Sequence, residues 1–163
     1  MERKIVHVVG TGTIGEPLIG LLCDYQNQLG IDEVTFFKNR PSKDDQSKVK
    51  DLLRRGARLA VDNGKKKKFK KLGMDSDFDA EESIERATVV IDCSSKGIGN
   101  ENKINYYEKN IHKVKGFIAQ GSEEGFGKKY ARGINDNALY SGEKFIQIVS
   151  CNTHNISCIT NTL

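Results

Sequence analysis

The sequence predicts an α/β fold, a doubly wound and mostly parallel sheet with helices on both faces. Two observations carry this. Six short apolar runs alternate with longer amphipathic stretches, the pattern of parallel strands joined by right-handed helical crossovers. The apolar runs are near-continuous, as expected for a sheet covered on both sides. A length of 163 residues suits about one domain. No linker divides the chain, so residues 1–163 are assigned to one domain.

The elements follow in order. Lys4-Ile5-Val6-His7-Val8-Val9 reads as a buried first strand. A helix is expected from about Gly15 to Leu29, with Leu18, Ile19, Leu22 and Tyr25 at helical spacing. Pro17 sits in its first turn, where a missing N–H costs little, and Gly30 is placed to end it. Glu33-Val34-Thr35-Phe36-Phe37 reads as strand two. Ser42 is placed to cap a helix running to about Arg55, with Val49, Leu52 and Leu53 as its buried stripe and Gly56 at its end. Arg58-Leu59-Ala60-Val61 reads as strand three. A lysine-rich helix follows, then a loop through Asp75 and Asp79, then a short helix from Ala80 to Ala87. Thr88-Val89-Val90-Ile91-Asp92 reads as strand four, Asn100 to Asn110 as a helix, and Val114 to Ala119 as strand five. Gly121 to Ser141 is glycine-rich without clear periodicity and is expected to be a long excursion. Lys144 to Val149 reads as strand six.

Composition excludes several classes. Lys plus Arg is 26 and Asp plus Glu is 22, a mild net charge of +4, and the apolar fraction is 37%. That is enough to bury a core and too apolar for a disordered chain. No apolar run approaches the roughly 20 residues of a membrane span, and the start does not read as a secretory signal. Cys23, Cys93, Cys151 and Cys158 are sparse and fit neither a zinc site nor a disulfide framework. The expectation is a reduced, cytoplasmic protein with no metal and no membrane partner. Lys65-Lys66-Lys67-Lys68-Phe69-Lys70-Lys71 could bind nucleic acid or act as a nuclear address. Without interleaved aromatic residues to stack bases, it reads as a solvated helix face anchored by Phe69, and no nucleic-acid partner is expected.

Gly10-Thr11-Gly12-Thr13-Ile14-Gly15 is G-x-G-x-x-G. Alone the pattern is weak; directly after a strand and opening a helix, it reads as a dinucleotide fingerprint. Gly10 permits the tight turn, Gly12 lets the backbone approach a pyrophosphate, and Gly15 lets helix and strand pack closely. The phosphates then meet unpaired N–H groups at the positive end of a helix. The expected sheet is thereby of Rossmann type. An NAD site usually places Asp or Glu at the end of strand two. Here that turn is Lys38-Asn39-Arg40-Pro41-Ser42, with two cations and no carboxylate. Such cations suit a 2′-phosphate, so NADP is the preferred cofactor over NAD.

Ser150-Cys151-Asn152-Thr153-His154-Asn155 follows the sixth strand and is expected to open a helix. A cysteine there lies near the positive end of the dipole, which favours its thiolate. Such a thiolate can add to an aldehyde, and the adduct can release hydride to become a thioester. Asn152 and Thr153 can hydrogen-bond an oxygen beside it. Cys23 and Cys93 read instead as small buried hydrophobes. A Cys151–Cys158 disulfide would distort the helix. His154 lies three residues on, either near the thiol or at a surface or interface.

These residues together are similar to the N-terminal nucleotide-binding domain of archaeal-type glyceraldehyde-3-phosphate dehydrogenase. The resemblance runs through Gly10 to Gly15, the turn Phe37-Lys38-Asn39-Arg40-Pro41, and Asp92-Cys93-Ser94-Ser95-Lys96-Gly97-Ile98-Gly99 with Asn102-Lys103. It continues through Gln120-Gly121-Ser122 and ends in Ser150-Cys151-Asn152-Thr153. It implies oxidation of an aldehyde phosphate with inorganic phosphate in glycolysis or gluconeogenesis, using NADP or NAD. Carried over, Cys151 is the nucleophile, Ser150 and Asn152 touch substrate, and Thr13, Ile14 and Gly121 touch cofactor. His154-Asn155 departs from the family's Thr-Gly, and Lys96 stands where an acidic residue is more usual. The family's catalytic histidine and oligomer interface belong to a second domain that does not map onto this chain. The expectation is therefore a nucleotide-binding fragment of a homo-oligomeric enzyme, inactive alone. A related semialdehyde dehydrogenase domain and a non-catalytic dinucleotide sensor are the alternatives.

Overall fold

The computed structural model describes residues 3–162. In chain order its strands are β1 (Ile5–Val9), β2 (Glu33–Phe37), β3 (Arg58–Val61), β4 (Phe78–Asp79), β5 (Val89–Asp92), β6 (Gly116–Ala119), β7 (Lys128–Tyr130) and β8 (Phe145–Ile148). They form one sheet in the order β4-β3-β2-β1-β5-β6-β8-β7, and every pairing among them is parallel. The helices are α1 (Gly15–Asp24), α2 (Gln26–Leu29), α3 (Gln46–Arg54), α4 (Lys66–Lys71), α5 (Ala80–Arg86), α6 (Ile98–Asn102) and α7 (Cys151–Thr162).

The doubly wound architecture is the expected one, and the six expected strands are all present. The two that sequence reasoning missed are the outermost. β4 is two residues long within the expected loop, and β7 is Lys-Lys-Tyr within the long excursion, with no apolar run to announce it. The first helix is not continuous to Leu29: the backbone breaks at Tyr25 (φ −102°, ψ 13°) between α1 and α2. Gly30 ends α2 in the left-handed conformation (φ 63°), as placed. Ser42 does not cap α3. Its hydroxyl accepts from Asp44 N at 3.2 Å in a tight turn, and the helix starts four residues later. The expected helix from Asn100 to Asn110 begins at Ile98 and loosens into a π-turn over Lys103–Tyr107 and a 3-10 turn over Glu108–Asn110.

The two faces of the sheet bury two cores. Val8, Val34, Phe36, Leu59 and Val61 pack under Ile19 of α1, Val49 and Leu52 of α3, and Phe69 of α4. Val9, Val90, Phe117 and Ala119 pack under Ile84 of α5, Tyr107 and Phe126. Consecutive Val8 and Val9 enter opposite cores, as the two-residue repeat of a strand requires. In the second core Tyr107 stacks on Phe117 at 5.1 Å, and Phe117 stacks on Phe145 at 4.9 Å.

Register aligns the carboxyl ends. Phe37, Val9, Asp92, Ala119 and Gln147 lie in one lateral row across β2, β1, β5, β6 and β8. Chain leaving that row supplies Lys38–Arg40, Gly10–Gly15, Cys93–Ser95, Gln120–Gly121 and, three residues after Gln147, Ser150–Cys151. The strand order reverses between β2-β1 and β1-β5, which opens a crevice above β1. Ligands of doubly wound sheets bind at such a point.

Candidate functional site

The β1–α1 turn shows why its glycines stand where they do. Gly10 has φ +95°, and a side chain there would press on the Cys93 carbonyl. A Cβ on Gly15 would stand 2.1 Å from Gly10 O, so no side chain fits. A Cβ on Gly12 would meet nothing within 4 Å; it would project into the open space that a ligand's phosphates need. Gly10 N donates to Phe37 O at 3.2 Å, which ties this turn to the end of β2.

That space is an open groove of about 940 Å³, lined by Gly10, Thr11, Gly12 and Thr13 at one end and by Lys38, Asn39 and Arg40 at the other. Of the two cations expected to meet a 2′-phosphate, only one is uncommitted. Lys38 is 6% exposed, and its ammonium donates to Asp45 at 2.7 Å and to the Thr11 hydroxyl at 3.3 Å. It braces the β2 turn against the glycine turn instead of presenting a spare charge. The reading of Lys38 as a free phosphate ligand is corrected accordingly. Sequence could not show this, because Asp45 lies seven residues away. Arg40 is exposed in the groove and has no polar partner among the described residues. Lys48 also lines the groove, paired with Glu16 at 3.0 Å. Asn39 accepts from Lys65 Nζ.

Above β5 a buried carboxylate organises the loop. Asp92 is fully buried and accepts from Ser94 N at 2.8 Å, Asn102 Nδ2 at 2.9 Å and the Tyr107 hydroxyl at 2.5 Å. Burial and this carboxylate hold the Tyr107 phenol well above its ordinary pKa, so it stays a donor. Glu123, also fully buried, accepts from Gly97 N at 2.6 Å and Asn100 N at 3.1 Å, satisfying orphan donors at the start of α6. Glu123 was not singled out in sequence. It sits in an aperiodic stretch, and its partners lie 26 and 23 residues upstream.

A second depression of about 480 Å³ adjoins the groove and shares Cys93 with it. Its lining is mostly apolar and brings together Ile14, Gly121, Ser150 and Cys151. A Cβ on Gly121 would stand 2.7 Å from Ser150 N, so a glycine lets the two loops touch. Cys151 is the first residue of α7 and is exposed. Ser150 accepts from Thr153 N at 3.2 Å through its hydroxyl, capping the helix. The Cys151 thiol faces the Asn152 side-chain oxygen at 4.0 Å. His154 is turned elsewhere: its Nε2 bonds Arg132 O at 2.9 Å. It is a link to the excursion loop and not a partner of the thiol. Cys93 is half-buried, and burial together with the Asp92 charge pushes its thiol up to about 12; burial also raises Cys23. Both behave as the small hydrophobes expected of them. Among the described residues no cluster of three or more His, Cys, Asp or Glu side chains is placed to hold a metal ion. No helix among them is long and apolar enough to cross a membrane.

The arrangement is thus an open glycine-lined groove and a helix-opening cysteine on one edge of one sheet. Comparison with known sequences gives the same direction. The chain is 29% identical over 165 residues to the glyceraldehyde-3-phosphate dehydrogenase of Pyrobaculum islandicum, covering 97% of this chain and 43% of that protein. It is 31% identical over 163 residues to the enzyme of Pyrobaculum neutrophilum, with the same coverage. The enzyme of Methanobacterium bryantii is 30% identical over 161 residues, 92% of this chain and 42% of that one. The chain is a homologue of archaeal glyceraldehyde-3-phosphate dehydrogenases. This dehydrogenase homologue spans less than half the length of the relatives it matches. No family model matches it. A solved glucose dehydrogenase of Haloferax mediterranei, in complex with NADP, zinc and gluconolactone, overlays 99% of the dehydrogenase homologue and 41% of its own chain, at 10% identity and a TM-score of 0.45. At that level the overlay carries no argument.

Proposed function

We propose that residues 1–163 are the NAD(P)-binding domain of a phosphorylating glyceraldehyde-3-phosphate dehydrogenase, with NADP preferred over NAD. The observation that carries the reading is the alignment of Gly10–Gly15, Gly121 and Ser150–Cys151 on one sheet edge in a chain homologous to those enzymes.

The residues fit a dinucleotide. The empty Cβ direction at Gly12 leaves room for the pyrophosphate, and the start of α1 offers unpaired N–H groups to it. Thr13 and Ile14 follow the cradle toward the cysteine, and Gly121 lines the far wall. Arg40 supports the NADP preference, with Asn39 beside it and Lys38 holding the turn. When bound, the cofactor's nicotinamide supplies the hydride acceptor. The chain's own part is to place the Cys151 sulfur where it attacks the aldehyde carbon, forming a C–S bond. Ser150 and Asn152, the sequence neighbours of Cys151, are the residues proposed to orient the substrate. With the hydride passed to that acceptor and the hydroxyl proton to a base, the carbon would become a thioester, and inorganic phosphate would displace the thiolate to give an acyl phosphate. The general acid or base and the substrate's phosphate site come from elsewhere in the full enzyme, as does the homo-oligomer interface. A cytoplasmic location is part of the same proposal.

Calorimetric titration with NADP⁺ and then NAD⁺ at low salt tests the reading. NADP⁺ is expected to bind more tightly, and Arg40→Ala to weaken it about tenfold, the loss of one charge-assisted contact, while leaving NAD⁺ unchanged. Equal binding of both removes the NADP preference. Binding of neither removes the cofactor reading.

A further inference from the structure

We propose that the basic edge built by α3 and α4 binds duplex nucleic acid through its phosphates. The proposal is independent of the cofactor reading. Charge is unevenly spread along the chain. Residues 38–73 carry fourteen Lys and Arg against four Asp, so the remainder is net negative although the whole chain is only +4. Many of these cations are not spent on neighbours. Lys43, Lys50, Lys67, Lys68, Lys70 and Lys71 are exposed and have no side-chain polar partner among the described residues.

The fold gathers them. Phe69 is fully buried in the first core, so the lysines of α4 are left to the solvent side. Gln46 of α3 donates to Leu72 O just past α4, and Lys50 Nζ lies 3.5 Å from the Cβ position of Gly73. The end of α4 therefore lies against α3, which brings Lys50 beside the lysine-rich turn. Within α4 itself, Lys66 with Lys70 and Lys67 with Lys71 are like-charge pairs at i,i+4, which destabilise a helix. A polyanion relieves that repulsion.

The chemistry of the surface selects among polyanions. Phe69 and Met74 are fully buried and Leu53 and Leu72 half-buried, so this edge offers no fully exposed apolar side chain to enter a bilayer. No exposed aromatic residue lies between the lysines to stack an unpaired base. What remains is recognition of closely spaced phosphates without reading of bases. Six helical residues span about 9 Å, short enough to sit between the phosphate rows of a groove about 12 Å wide.

Fluorescence anisotropy with a labelled 20-base-pair duplex, between 50 and 200 mM salt, tests this on the 163-residue chain. Binding is expected at 50 mM. With about five phosphate contacts it should fall several hundredfold by 200 mM. The variant with Lys67, Lys68, Lys70 and Lys71 all changed to Gln should lower the slope of log K against log salt by about 3 to 4. Its melting temperature should not fall and its NADP⁺ affinity should be unchanged; if the quadruple variant does not fold, Lys67→Gln and Lys71→Gln singly should each lower the slope by about 0.9. No binding at 50 mM overturns the proposal, as does an unchanged slope in the variants. Equal affinity for a single strand, or tighter binding to phosphatidylserine vesicles than to duplex, also overturns it. Loss of NADP⁺ binding together with duplex binding would assign these lysines to the cofactor groove instead.

Discussion

The two halves of the sheet are finished to different degrees. On the side of β2, β3 and β4, the first face is closed by α1, α3 and α4, and Val34, Phe36, Leu59 and Val61 are buried completely. On the side of β5, β6 and β8, the same face leaves Ile91 and Ile118 half-buried and Ile148 37% exposed around the depression that holds Cys151. α7 has no buried residue, and its Ile156 and Ile159 are 63% and 62% exposed. The glycine-turn end of the site thus rests on a closed core, whereas the cysteine end rests on an open one. On the proposed function, the difference teaches that this chain shapes the cofactor end of its site more completely by itself than the cysteine end.

The strongest way to break that comparison is at the cradle. Gly15→Ala places a methyl 2.1 Å from Gly10 O, a backbone atom that cannot swing aside as a flexible side chain would. Overpacking of this kind is expected to cost about 3 kcal/mol, or about 6–12 °C in melting temperature for a chain of this size. Cofactor binding should vanish with it. A melting temperature within 2 °C of the parent would mean that the turn is loose and the first half is not the rigid one. Next in size is Gly121→Ala, whose methyl would stand 2.7 Å from Ser150 N. The open side can yield, so the cost should be smaller, about 1–2 kcal/mol, and the displacement should fall on the Ser150–Cys151 turn. Thermal melts of both variants, with NADP⁺ titration of the second, compare the halves directly. A larger loss at Gly121 than at Gly15 would reverse their order.

The unequal halves also explain what was legible in the sequence. Gly10-Thr11-Gly12-Thr13-Ile14-Gly15 is local: strand, turn and helix are contiguous, so spacing alone places them. The Ser150–Cys151 helix start was legible for the same reason, and the buried strands announced themselves by apolar runs. Lys38–Asp45, Glu123–Gly97 and the donors gathered on Asp92 are set by tertiary approach, and no periodicity encodes them. β4 and β7 lie at the sheet's edges, where pairing on one side suffices and little apolar sequence is needed. The π-turn at Lys103–Tyr107 brings the Tyr107 hydroxyl to Asp92, a geometry that helical spacing could not foretell.

The seam between the halves supplies the smallest of the expected effects at mild pH. His7 lies mid-strand in β1, fully buried, with Nδ1 bonded to Thr35 Oγ1 at 2.7 Å and Nε2 unpartnered. Burial lowers its pKa to about 3 from 6.5. The unfolded chain therefore binds the proton first as pH falls. Stability is complete above about pH 6.5 and is lost progressively between there and about pH 3. The slope approaches about 1.4 kcal/mol per unit only once the unfolded imidazole is mostly protonated, so the loss from pH 6.5 to pH 5.5 is about 1 kcal/mol. Urea melts at those two pH values should show it, and His7→Val should flatten the dependence. Because β1 belongs to both cores, the assigned ring-proton NMR signals of Tyr107 in the second half and the far-ultraviolet signal of the whole sheet should fall together on acidification. Separate transitions would show that the closed half outlives the open one, and that the seam does not bind them into a single cooperative unit.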